Sequence, residues 1–242
     1  MTFFRILYLI TFFCVVRAAD WYTVEWDASE FTAMSGDMLV PDLPTPGGTP
    51  YVWPGIQGDD GVFQAVLDGS SGTWWIGDGF YGTPSLSWGN GFNVYPGDTV
   101  HFTFDLIDEE NYTWNSSLAS GDNFVYSLFN ITDNTLDRAI FAVEASLYDV
   151  AFDFGPIIYS NVEITATTAA SEWCYTTYTL GDYPYTIGTE SASGYNSQVR
   201  HPCKENTPLE LELRSTSSRF LISLRTGRVH CKRGAPDSRQ AK

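Results

Sequence analysis

Gln64 is the side chain whose placement most calls for chemistry. It interrupts an apolar stretch, Val62-Phe63-Gln64-Ala65-Val66-Leu67. A buried amide is costly unless it is hydrogen-bonded. Gln64 therefore either bridges neighbouring backbone or faces a groove and meets a ligand. Other chemistries are poorly supplied. The sequence has no HExxH, no paired CxxC, no phosphate-binding glycine loop, no GxSxG and no Asp-Thr-Gly or Asp-Ser-Gly. No metal or cofactor is expected. A Ser-His-Asp triad would have to use His101, which alternates with the apolar side of a strand and is expected in solvent. Glu25, Asp27 and Glu30 have an E-x-D-x-x-E spacing with which two carboxylates can flank a glycosidic bond. That match lies close to the expected start of the mature chain, where acids are plentiful.

The elements that must carry these groups read as strands. In "TVHFTFDL" (99–106), Val100, Phe102, Phe104 and Leu106 alternate with Thr99, His101, Thr103 and Asp105, the period of a half-buried strand. "YPGD" before it has turn chemistry. Further strands are expected over 21–26, 73–81, 123–132, 138–147 and 160–167. Closely spaced strands with turn signals and little helix signal predict an all-β antiparallel sandwich over 19–199. Residues 41–50 are a Pro/Gly-rich loop. Residues 200–242 change character, with one further strand expected over 208–215 and then an irregular basic tail.

Charge is unevenly spread. Between residues 19 and 199, Arg138 is the only basic residue against 25 acidic ones, while the last 43 residues hold ten Lys plus Arg. Nucleic acid is excluded as a partner of the main domain, whose field repels phosphates. A domain with almost no cations gains little positive charge when its carboxylates protonate, so it suits an acidic medium. Residues 1–18 have a small basic start, a short apolar run and a small-residue cleavage site, and read as a secretory signal peptide. A secreted, extracellular monomer with no membrane span after cleavage is expected. Cys174–Cys203 is the expected disulfide. The sequons at Asn111, Asn115 and Asn130 are expected glycosylation sites at the surface.

"WPGIQGDDGVFQAV" resembles the Trp-x-Gly-Ile-x-Gly-Asp stretch and following strand of the glutamic peptidases, fungal acid proteases with a concanavalin A-like β-sandwich (jelly roll). Trp53, Gly55, Ile56, Gly58 and Asp59 match the motif. "TWWIGDGFYG", "VYPGDTVHFTF", "AIFAVEASL" and "FDFGPIIYSNVEIT" follow in the family's order, over about residues 20–180. The resemblance implies a catalytic pair of Gln64 and Glu144 that hydrolyses a polypeptide. The carboxylate would exchange protons with water and the leaving amine, and the amide would donate to the oxyanion without titrating. Trp53, Trp74, Trp75 and Tyr81 would hold the substrate. The turn before Gln64 is shorter than the family's. Registering the strand on Gly69 instead puts Asp68 or Leu67 at the catalytic position. The alternative function is a non-catalytic sandwich that binds a glycan through exposed aromatics or serves a structural role.

Overall fold

The computed structural model of the protein describes residues 20–44, 49–146, 155–181, 184–188, 190–193, 211–213, 222–224 and 229–233. Its first five strands are β1 (Asp20–Asp27), β2 (Phe31–Leu39), β3 (Thr49–Gly58), β4 (Gly61–Asp68) and β5 (Trp74–Gly82). Next come β6 (Gly91–Val94), β7 (Thr99–Asp108), β8 (Thr113–Ser120), β9 (Asn123–Asn130), β10 (Leu136–Ser146) and β11 (Ile157–Ala166). A single helical turn, α1 (Ala170–Trp173), precedes the short strands β12 (Tyr178–Leu180), β13 (Tyr185–Thr186) and β14 (Glu190–Ser193). The last described strands are β15 (Leu211–Leu213), β16 (Ile222–Leu224) and β17 (Val229–Arg233).

Two sheets form a sandwich. One has the order β12-β1-β10-β3-β4-β5-β6, the other β13-β16-β11-β2-β7-β8-β9. The long strands pair antiparallel throughout. Alternation decides which side chains lie between the sheets. Val100, Phe102 and Phe104 of β7 are fully buried, while His101 is exposed and meets Asp37 at 2.8 Å. Phe63 of β4 joins the sheets, its ring 4.7 Å from Phe104, 5.1 Å from Phe129 and 5.7 Å from Trp114. Such aromatic pairs add packing energy beyond their buried area.

The region after residue 199 holds more strand than the one expected. β16 and β17 run parallel to β11, with Ile164 opposite Cys231. β11 pairs with β2 on one side, so its other side would be an open edge of unpaired N–H and C=O groups. The short β16 and β17 stretches, which include Ile222 and Val229, cover that edge. The loop before β3 leads in as expected over 41–44, and residues 45–48 lie outside the described residues, as do residues 1–19 with the expected signal peptide.

Candidate active site

β4 and β10 flank β3 in the first sheet, and their outward side chains share one face with those of β3. Gln64, Val66 and Asp68 alternate outward on β4, while Phe63, Ala65 and Leu67 pack between the sheets. The hairpin Gly58–Gly61 sets this register, with Gln64 opposite Gly55 and Asp68 opposite Tyr51. On β10 the outward side chains are Ile140, Ala142 and Glu144, with Glu144 opposite Tyr51. Trp53, Val62, Val66, Ile140 and Ala142 make a separate apolar cluster on this outer face.

That cluster floors an open cavity of about 540 Å³. Gln64 and Asp68 of β4 and Glu144 of β10 reach it. So do Tyr51 and Trp53 of β3, Trp75 and Tyr81 of β5, Trp21 of β1, and Trp88 from the β5–β6 loop. Glycines give the cavity its breadth. A Cβ on Gly77 would lie 1.8 Å from the Trp75 ring, and one on Gly79 would lie 2.2 Å from Trp88. The two indoles thus lie flat over backbone that carries no side chains.

The structure answers the choice posed by Gln64. Its side chain is 7% exposed and lines the cavity, and among the described residues its amide has no hydrogen-bond partner in the protein. It is not a backbone bridge. Leu67 is fully buried in the core, so the register that would place it at the site is ruled out. Asp68 faces the cavity, and its Oδ1 accepts the Ser70 backbone N–H at 2.7 Å.

Glu144 is half-buried. Burial raises its pKa above the ordinary carboxylate value, and the nearby Trp53 indole N–H offsets part of that rise. The Tyr51 hydroxyl is pushed up by burial and then by the charges of Asp68 and Glu144. No Lys, Arg or His side chain lines the cavity among the described residues. Arg138, at the far end of β10, is held by Asp27 at 2.7 Å and Glu25 at 3.2 Å.

The pair expected to cooperate is not in contact. Gln64 and Glu144 sit on strands separated by β3 and are offset by four residues along the chain direction. Two strand spacings and four residue steps separate their Cα atoms by roughly 16 Å. Any shared work is done across a bound molecule.

The other expected site residues divide clearly. Trp53, Trp75 and Tyr81 line the cavity. Trp74 does not: it is 1% exposed in the inter-sheet core, and its indole N–H donates to the Pro41 carbonyl at 2.8 Å. Strand alternation sends Trp75 outward and its neighbour Trp74 inward. Glu25 and Asp27 are both held by Arg138, and neither they nor Glu30 line the cavity. Cys174 is buried and disulfide-bonded, while Cys203 lies outside the described residues. Asn111 and Asn130 are exposed and Asn115 is half-buried, all at the β7-β8-β9 side of the second sheet. Trp21, Tyr51 and Trp88 were not singled out by sequence; the outward parity of Tyr51 with Trp53 was the available signal.

No protein-family model matches the chain, and no curated protein sequence matches it. Solved structures do resemble it. A crystal structure of scytalido-glutamic peptidase with a peptide-based transition state analog superposes with a TM-score of 0.51 at 14% identity, covering 67% of this chain and 88% of that one. Another structure of scytalido-glutamic peptidase, with a transition state analog inhibitor, gives a TM-score of 0.50 at 14% identity, covering 62% and 81%. The chain therefore shares the β-sandwich fold of the glutamic peptidases.

Proposed function

We propose that the cavity binds an extended polypeptide and hydrolyses it in acid. The single observation that carries this is the placement of a half-buried carboxyl, Glu144, and an unpartnered amide, Gln64, in one aromatic-walled cavity on the outer face of a sheet. Glu144 exchanges protons with the attacking water and the leaving amine, for which a carboxyl that ionises late is suited in acid. The Gln64 amide donates to a carbonyl oxygen of the bound peptide and keeps that ability at every pH. Trp75, Trp88 and Tyr81 form the wall against which substrate side chains lie. The fold likeness supports this function, since the neighbours named above are peptidases holding peptide-based or transition-state inhibitors. The protein acts outside the cell, as its amino-terminal pattern suggests.

Cleavage of a denatured protein across pH 2–7 tests the proposal. Wild-type protein should cleave in acid, Glu144→Gln should fall to background, and Gln64→Ala should lose about tenfold in kcat/KM, the worth of one hydrogen bond. Absence of wild-type cleavage at every pH would remove the peptidase function.

One observation favours a second function, glycan binding without catalysis. Phe124 and Tyr126 are 64% and 60% exposed on the outer face of β9, with ring centroids 6.5 Å apart and planes at 34°. Such a platform can stack on sugar rings. Glycan binding that is lost in Tyr126→Ala and kept in Glu144→Gln would select this function.

A further inference from the structure

The strand registers place five cavity side chains in one row across the sheet. Trp21 of β1 is opposite Glu144 of β10, Glu144 is opposite Tyr51 of β3, Tyr51 is opposite Asp68 of β4, and Asp68 is opposite Trp75 of β5. All five line the cavity. The row reads aromatic, acid, aromatic, acid, aromatic. Gln64 belongs to a different row, with Ile140, Gly55 and Gly79. The group level with Glu144 is therefore Asp68 and not Gln64.

We propose that Asp68 is a second catalytic carboxyl, paired with Glu144 across Tyr51. The proposal rests on the peptidase function above. The two Cα atoms are two strand spacings apart, roughly 10 Å, which leaves room for a scissile peptide and one water between the carboxyls. The titratable group between the pair is Tyr51, and no cation lines the cavity among the described residues. Acting together, the pair works with one carboxyl ionised, to take a proton from water, and the other protonated, to give one to the carbonyl oxygen.

Hydrolysis then balances within the pair. The ionised carboxylate takes a proton from water as the water oxygen bonds to the carbonyl carbon. The protonated partner gives its proton to the carbonyl oxygen, producing a neutral gem-diol. On collapse the C–N bond breaks, the amine nitrogen takes the proton held by the first carboxyl, and one diol hydroxyl returns its proton to the second. The products are a carboxylic acid and an amine, and the pair again holds a single proton. Gln64, in its own row, holds the peptide backbone.

Asp68→Asn isolates this role. The Asn side-chain oxygen keeps the acceptor that Asp68 presents to the Ser70 N–H, so a purely structural function survives, whereas Asp68→Ala removes both. The full chain should be assayed as wild type, Asp68→Asn, Asp68→Ala and Gln64→Ala across pH 2–7, with thermal melts as a folding control. We expect Asp68→Asn to melt like wild type and to lose about a hundredfold or more in kcat. Its KM should stay nearly unchanged, and the bell-shaped pH profile should lose one limb. Wild-type cleavage with Asp68→Asn within about threefold of it overturns the role of Asp68 and leaves the peptidase function standing. Loss of activity only in Asp68→Ala, together with a lowered melting temperature, overturns it in favour of a structural role. An inactive wild type overturns the peptidase function itself and this proposal with it.

Discussion

Glu144 owes its usefulness to two opposed influences. Burial pushes its pKa up, and the Trp53 indole pulls it part of the way back. Trp53→Phe keeps the ring in its 1%-exposed place and removes only the donor. Without that nearby N–H dipole the carboxylate is less favoured, so the pKa of Glu144 rises further. The limb of the pH–activity profile that reports on Glu144 should move to higher pH, and a profile unchanged from wild type would show that the indole does not hold the carboxylate in solution. The apolar neighbours of Gln64 and Glu144 were legible in the sequence as strand residues, and so was the outward parity of Gln64 with Val62 and Val66. Asp68 was legible only as one of two alternatives, because a strand read in isolation has no register with its neighbours.

β4 and β5 together build the floor and wall, and glycine does as much there as the aromatics. Gly79 has room for Trp88 only because it has no Cβ, which would lie 2.2 Å from the indole. Gly79→Ala should push Trp88 away from the wall while leaving the core untouched, since Trp88 is 48% exposed. KM should rise several-fold with a stability change below about 1 kcal/mol, read by steady-state kinetics and by chemical denaturation of the same protein. The strands over 99–106, 123–132 and 138–147 were clear from alternation and apolar content. β2 and β8 were not, because Ser35, Gly36 and Asp37 in one, and Asn115, Ser116 and Ser117 in the other, dilute the apolar signal. They are strands because their partners offer a complete ladder on each side, β11 and β7 to β2, and β7 and β9 to β8.

Across the described residues, most carboxyl groups whose pKa departs from its ordinary value are shifted upward. Glu30, Asp78, Asp105, Asp137, Glu144 and Glu190 have raised pKa values, with burial the largest cause for each. Glu190 reaches about 7. Asp78 lies fully buried between the sheets beside Ser116 and Ser127, whose hydroxyls favour its charged form without reaching hydrogen-bond geometry. Only Asp108, at the end of β7, is shifted down, chiefly by hydrogen bonds from Asn111. A carboxyl whose pKa is higher folded than unfolded binds more protons in the native state, so its contribution to stability falls as pH rises through the folded value. The melting temperature should therefore increase as pH drops from about 7, the folded value of Glu190, toward 4.5, its ordinary value. Calorimetry that found a melting temperature flat over this range would show that these groups titrate in the native state as they do in the unfolded chain.

By itself the sequence determined the all-β class, the alternation that buries Phe102 and exposes His101, and an acidic charge distribution almost free of cations over residues 19–199. These follow from local periodicity and composition, which need no partner strand. Only the tertiary structure decided that Trp74 belongs to the core and that Asp68 stands level with Glu144. It alone joined β16 and β17 to β11. Register and pairing depend on hydrogen bonds between segments far apart in the chain, and no local pattern of residues encodes which backbone groups will meet.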